Sequence, residues 1–162
     1  MKEQLVETRK RLLEEISGLS FKEFNRTPRP DKWSIGQVAQ HLVLTEMVTS
    51  RAIAHALKRE DNSMAAAKKI DLILDRSIKV DAPKVVQPDA RQFEVISVVS
   101  MLEESRDSLL DILDKIDPEI LTFKSVKHPV FGELPLHQWV ELIYLHEQRH
   151  IEQIKEIKAL FI

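Results

Sequence analysis

The sequence contains no cysteine, and this absence excludes several kinds of chemistry. The chain can form no disulfide, offer no thiolate to a metal and use no thiol of its own as a nucleophile. A chain without cysteine is compatible with a reducing compartment. We therefore expect a cytoplasmic protein.

Long apolar segments and glycines are also scarce. No run approaches the roughly 20 apolar residues that a membrane-spanning helix needs, so we expect no membrane partner. The charged N-terminal stretch MKEQLVETRKRLLEEI lacks the apolar core of a secretory signal. With only 3 glycines and 6% aromatic residues, a β protein rich in tight turns is not expected.

Neither sign of charge dominates the chain. The 24 basic and 26 acidic residues give a net charge of −2, and no large basic patch indicates a nucleic-acid partner. The basic triplet at 9–11 is expected to face solvent on an amphipathic helix. A length of 162 residues suits one domain, 1–162, that can bury a core without a disulfide or metal.

Apolar residues recur with the period of a helix and predict four helices, at about 3–18, 35–58, 91–116 and 134–160. The predicted apolar faces of the first and third include Leu5, Val6, Leu12, Leu13, Ile16, Phe93, Ile96, Val99 and Leu102. Ser34 and Gln37 have the spacing of a capping box at the start of the second helix. Pro135 suits the first turn of the fourth helix.

Four such helices predict an all-α four-helix bundle. The connection between the second and third helices has about 30 residues, which is long for a loop. It can traverse the bundle and make these two helices parallel, with some local helix at 64–75. If the other neighbouring helices are antiparallel, the topology would be up-down-down-up with a long crossover, and a non-helical connection precedes the fourth helix.

Three histidines lie on apolar helix faces. His146 and His150 are four residues apart, so their side chains are neighbours on the fourth helix. His41 shares a face of the second helix with apolar residues and, if these helices are antiparallel, lies within about one turn of His150. Three such imidazoles can converge on a divalent ion. A hydrogen-bonded core of histidines also fits the pattern.

The remaining histidines are weaker candidates. His55 is 14 residues from His41, about 21 Å along a helix, and cannot share its site. His128, in a loop, and His137, at the start of the fourth helix, are expected to be exposed.

No residue is assigned as a catalyst. Glu147 is expected at a solvated boundary rather than as a general base. Gln37 and Gln153 could each orient a histidine through its second ring nitrogen, or could hydrogen-bond each other.

Several motifs occur in a specific order. DKWSIGQVAQHL places a Trp-Ser helix start before a histidine, and HPVFGELPLHQWVELIYLHEQRHIEQIKEI follows far downstream. The second segment contains H-P-x-x-G-x-L, a tryptophan and then H-x-x-x-H-x-x-Q-I. Over nearly its whole length the chain resembles the DinB-like four-helix-bundle proteins, most closely the DinB_2 or YfiT-like subgroup. The resemblance implies the up-down-down-up bundle.

The resemblance also implies a site and a range of reactions. The site would be a divalent metal, nickel or zinc, held by His41, His146 and His150, in a homodimer. Related bundles transfer small thiols or catalyse thiol-dependent isomerisation, and many have no assigned reaction.

The expected function is therefore that of a metal-dependent enzyme acting on a small molecule. It would transfer a bacillithiol-, mycothiol- or glutathione-like thiol, or carry out metal-assisted hydrolysis. Because the chain has no cysteine, any thiol must come from a cosubstrate. The alternative is a non-catalytic bundle that binds a small ligand or a partner.

Overall fold

The structure, a computed structural model, describes residues 1–161. Ile162, the last residue of the predicted domain, lies outside the described residues. The helices are α1 (Lys2–Ile16), α2 (Phe21–Asn25), α3 (Ile35–Lys58), α4 (Val95–Asp114), α5 (Ile120–Phe123) and α6 (Leu136–Phe161). The strands are β1 (Ser125–His128) and β2 (Gly132–Pro135), which pair as an antiparallel hairpin.

Two clusters of buried apolar side chains show the direction of each long helix. The first joins the ends of α1 and α6 to the beginnings of α3 and α4, and includes Leu12, Ile16, Val38, Leu42, Val98, Leu102, Ile151 and Ile154. The second joins the opposite ends, and includes Leu5, Ile53, Ala56, Leu109, Leu113, Trp139 and Ile143. Thus α1 and α6 run one way and α3 and α4 the other, and the predicted up-down-down-up bundle is confirmed.

The capping box at the start of α3 is present as predicted. The backbone N–H of Gln37 donates to Ser34 Oγ at 3.1 Å, and the Ser34 N–H donates to Gln37 Oε1 at 3.0 Å. The short helix α2 lies between the first two predicted helices and was not among those predicted, and Ser20 and Glu23 form a second capping box at its start. A Cβ on Gly36 would lie 3.0 Å from the Phe24 ring, so glycine allows α2 to pack closely on α3.

The crossover from α3 to α4 runs along the bundle because it joins opposite ends of two parallel helices. The local helix expected at 64–75 is a short 3₁₀ helix at Ile70–Leu74, and a second 3₁₀ helix lies at Lys84–Val86. The Arg149 guanidinium on α6 donates to the carbonyl oxygens of Ile73, Asp75 and Ile78, each at 2.8 Å. These bonds hold the crossover against the helix that carries two of the histidines.

The segment before the last helix differs from the prediction. The helix was expected to begin near residue 134, but residues 132–135 form β2 and α6 begins at Leu136. Gly132 has φ 70°, the left-handed conformation that glycine adopts without strain, at the tip of the hairpin.

Two members of the predicted apolar faces are exposed instead, Val6 at 57% and Ile96 at 79%. Over the described residues, the structure contains no helix whose length and apolarity would allow it to cross a membrane.

Candidate metal centre

His41 lies in the second turn of α3, where the capping box has just fixed the start of the helix. Its side chain is buried, and its Nδ1 lies 2.7 Å from the carbonyl oxygen of Val86 in the crossover. A carbonyl can only accept, so Nδ1 carries the proton and Nε2 carries a lone pair. The Trp33 ring is tilted against that of His41, with the ring centroids 5.0 Å apart.

His146 and His150 complete what we call the histidine cluster, together with His41. Nε2 of His146 lies 3.3 Å from Nε2 of His41 and 3.0 Å from Nε2 of His150. One ligand nitrogen from each residue lies within 4.8 Å of the others. The structure thus brings together the three histidines selected from the sequence, on antiparallel helices. Their role as metal ligands stays a prediction.

Gln153 sets the orientation of the third ring. His150 Nδ1 lies 2.7 Å from Gln153 Oε1, so it donates there and leaves its Nε2 lone pair directed at the cluster. Of the two roles considered for Gln153, the structure shows the one in which it orients a histidine. The Gln37 side chain hydrogen-bonds elsewhere: besides its capping role, it donates to the Asp89 carbonyl at 3.1 Å.

The cluster is short of hydrogen-bond donors at its centre. His41 and His150 both present lone pairs there, and His146 Nε2 can donate to only one of them. At least one buried acceptor is then unsatisfied, which costs free energy. A divalent cation would satisfy all three nitrogens together, so the residues present fit a metal ion.

The electrostatics also favour neutral rings. Burial lowers the pKa of His150 to about 3, and the charge of His41 adds to this effect. Burial, followed by the charges of His150 and His41, holds the pKa of His146 well below its ordinary value. Burial also lowers the pKa of His41, although its bond to Val86 acts in the opposite direction. Neutral imidazole is the form that binds metals.

A second group of buried polar side chains lies beside the histidines. Each long helix contributes one charged residue to it, and we call it the ionic layer: Arg9, Glu46, Arg106 and Glu147. Arg9 Nε lies 2.7 Å from Glu147 Oε1, and Arg106 Nε lies 2.6 Å from Glu46 Oε1. Each arginine also contacts the other glutamate, so all four charges are paired twice.

The ionic layer corrects two expectations. Glu147 is only 1% exposed and accepts a further hydrogen bond from Thr8 Oγ1 at 2.7 Å, so it is not a boundary residue. Arg9 belongs to the basic triplet expected to face solvent, but it is buried and also donates to the Leu102 carbonyl. In both cases a charged partner from another helix offsets the cost of burial. The sequence of one helix does not show which residue of another helix will be that partner.

The other histidines lie outside the cluster. His55 is exposed. His128 and His137 are half-buried rather than exposed, because the hairpin folds back onto α6. His128 Nδ1 accepts backbone N–H groups of the hairpin, and its ring lies 4.8 Å from that of Trp139.

Comparison with known proteins gives relatives along most of the chain. The uncharacterized protein YuaE of Bacillus subtilis is 30% identical over 144 residues, which cover 89% of this chain and 88% of YuaE. A protein of Oceanobacillus iheyensis named "Putative metal-dependent hydrolase OB0413" is 25% identical over 146 residues, which cover 90% of this chain and 76% of that protein.

A solved structure shares the fold. YfiT from Bacillus subtilis, described as "a probable metal-dependent hydrolase with an unusual four-helix bundle topology", superposes with a TM-score of 0.69 at 16% identity, covering 97% of this chain and 83% of YfiT. The family model of the DinB superfamily matches residues 4–154, nearly the full length of the bundle. The chain therefore belongs to the DinB superfamily.

Proposed function

We propose that this protein is a metal-dependent hydrolase of small molecules, whose divalent ion is held by His41, His146 and His150. The observation that carries the proposal is the convergence of three imidazole nitrogens with too few donors between them. The names of two relatives, OB0413 and YfiT, support hydrolysis as the reaction.

The ligand set supports a catalytic site. Three neutral protein ligands leave coordination positions open, as in catalytic rather than structural zinc sites. A divalent ion there would supply a Lewis acid for a substrate oxygen and would make water more acidic. The protein's own contribution is orientation: the Val86 carbonyl and Gln153 hold two rings with Nε2 directed inward. The Trp33 ring lies beside that of His41.

The two carboxylates that line a small cavity with His146 are already engaged. Glu46 and Glu147 each accept hydrogen bonds from both arginines of the ionic layer. A carboxylate whose lone pairs are occupied in this way is a poor general base. Among residues 1–161 the metal-capable group consists of the three histidines alone. We therefore assign proton transfer to no residue of the chain.

Thiol transfer is the second candidate reaction. Three neutral ligands leave both charges of a divalent ion uncompensated, and a bound thiolate would neutralise one of them. Because the sequence has no cysteine, this thiol would be a cosubstrate of the bacillithiol, mycothiol or glutathione type. The two reactions differ in one requirement, since only transfer needs the added thiol.

Three further properties belong to the proposal. We expect nickel or zinc as the metal, because imidazole suits both ions. We expect a homodimer, as the family resemblance implies, which sedimentation would test. We expect a cytoplasmic location, because the sequence has no cysteine.

The decisive experiment measures metal and turnover together. Protein purified without a histidine tag would be reconstituted with nickel or zinc, analysed for metal content, and screened with ester, amide and phosphoester substrates, with and without a small thiol. We expect about one ion per chain and thiol-independent turnover, both lost in His41→Ala and retained in His55→Ala. Turnover only with thiol would indicate transfer. Absence of stoichiometric metal would contradict the proposal and favour a non-catalytic binding protein.

A further inference from the structure

The ionic layer occupies a particular level of the bundle. On each long helix its residue lies between the residues of the first and the second hydrophobic cluster. Glu46 and Glu147 are 2% and 1% exposed, and both arginines are buried as well. The layer is therefore a plane of paired charge across the middle of the interior.

The layer adjoins the histidine cluster directly. Glu147 follows His146 on α6, and Glu46 is five residues beyond His41 on α3. A small cavity is lined by His146 and Thr45 together with all four residues of the layer. The two helices that carry the histidines are thus also the two that carry the glutamates.

The connections between these helices pass through shared arginines. Arg9 on α1 and Arg106 on α4 each contact both glutamates, so α3 and α6 are joined twice at this level. Arg9 also donates to the carbonyl of Leu102, and Arg106 to that of Leu5, so each arginine has a fixed place in the bundle.

Such a layer restricts sliding more strongly than apolar packing does. Apolar burial is non-directional, so leucines can exchange apolar neighbours when two helices shift along each other. A shift of one helical turn, about 5.4 Å, would separate the charges and leave them buried without partners. Buried polar groups are known to fix helix register in this way.

We propose that the ionic layer positions the histidine cluster: by joining Glu46 to Glu147 through shared arginines, it fixes α3 against α6. The distance from His41 to His146 and His150 then depends on residues that never touch the ion. This inference rests on the proposed metal site and deepens it, because it names positioning residues of that site.

The test uses a charge-balanced variant. Glu46→Gln with Arg106→Met removes one charge of each sign and leaves the pair of Arg9 and Glu147 in place. Thr8→Val, which removes the hydroxyl that contacts Glu147 and the Gln4 carbonyl but leaves all four charges in place, is a milder second variant should the double variant fail to fold. Leu113→Ala is the control, because it opens a cavity in the second cluster, away from the histidines.

The first readout is the dissociation constant for Co²⁺ alone, together with its visible absorption spectrum. We expect binding to weaken about 10- to 100-fold in the double variant, as for other residues that support ligands indirectly. The spectrum should change as well, and Thr8→Val should show a smaller effect. Leu113→Ala should lower the melting temperature and leave both quantities unchanged. Unchanged binding in the layer variants, or equal weakening in the control, would overturn the inference.

The second readout needs no metal. In ¹⁵N NMR spectra of metal-free protein, the double variant should shift the ring signals of His41 and His146, and Leu113→Ala should not. Unshifted signals would overturn the inference. If wild type binds no metal but these shifts occur, the proposed function fails while the positioning role is upheld.

Discussion

The histidine cluster and the ionic layer are neighbouring polar regions that meet the cost of burial in opposite ways. The histidines lose their charge, since burial lowers the pKa of all three and the charges of neighbouring histidines lower those of His146 and His150 further. The layer keeps its charge by pairing. Burial alone would lower the pKa of Arg106, but the charges of Glu147 and Glu46 raise it above its ordinary value.

This difference gives the ionic layer a structural role and the histidine cluster a binding role. Each charge of the layer already has its partners within the bundle, so the layer is complete without any ligand. The cluster presents more lone pairs than donors, so it is completed only by something added. We therefore expect changes in the layer to affect folding first, and changes in the cluster to affect metal binding first.

The largest effect should come from removing one of the two arginines of the ionic layer. Arg9→Met leaves two buried glutamates to share Arg106, and it should lower the free energy of unfolding by about 3–5 kcal/mol. The matched control is Lys155→Met, which removes an exposed ion pair with Glu152 at 3.0 Å and should cost about 0–1 kcal/mol. Urea denaturation measures both, and equal losses would contradict the view that the layer is structural.

Changes to the histidines should affect metal binding and leave the fold intact. Chelated wild type should remain helical, and metal at a hundredfold excess over Kd should add about 2.7 kcal/mol. His150→Ala and His146→Ala should keep their helices and lose this increment, whereas His55→Ala should keep it. Circular dichroism during thermal melting distinguishes these cases. Loss of the helical signal in chelated wild type would show that the metal is structural.

The sequence reveals the cluster more readily than the layer. A histidine on an apolar face is conspicuous, and the four-residue spacing of His146 and His150 has a direct chemical meaning. A charged residue on a helix is usually solvated, which is why Arg9 and Glu147 were assigned to surfaces.

A signal for the layer did exist in the sequence. Leu5, Arg9 and Leu12 have core spacing, as do Leu102, Arg106 and Leu109, with the charge in the middle of each set. Which charges pair, however, depends on four helices meeting at one level, and that follows only from the complete fold.

The long elements of the fold were predictable because their apolar period extends over many turns. The helix ends at 35 and 58 agree with α3, and the topology followed from the length of the crossover. The hairpin and α2 were missed because segments of four or five residues are too short to show a period.

A smaller effect should follow from changing the support of one histidine. Gln153→Leu removes the acceptor that orients His150, so metal affinity should fall about 10- to 100-fold with little change in stability. Gln148→Leu, on the same helix, changes no hydrogen bond of the cluster and serves as the control. Competition titration with a chromophoric chelator measures both. Equal affinities in wild type and Gln153→Leu would show that packing alone orients the ring.

The last effect we expect is a pH dependence of the metal-free protein. His150 has a folded pKa of about 3 against an ordinary value of 6.5. Between these values the unfolded chain binds a proton that the folded chain does not, so stability is complete above pH 6.5 and falls as the pH approaches 3. One such group contributes at most about 1.4 kcal/mol per pH unit.

Denaturation midpoints at pH 7.0, 6.0 and 5.0 should therefore decline more steeply in wild type than in His150→Gln, which keeps a polar side chain but cannot titrate. Identical slopes would mean that His150 is protonated as easily in the folded chain as in the unfolded one. The contrast between a neutral cluster and a charged layer would then no longer hold.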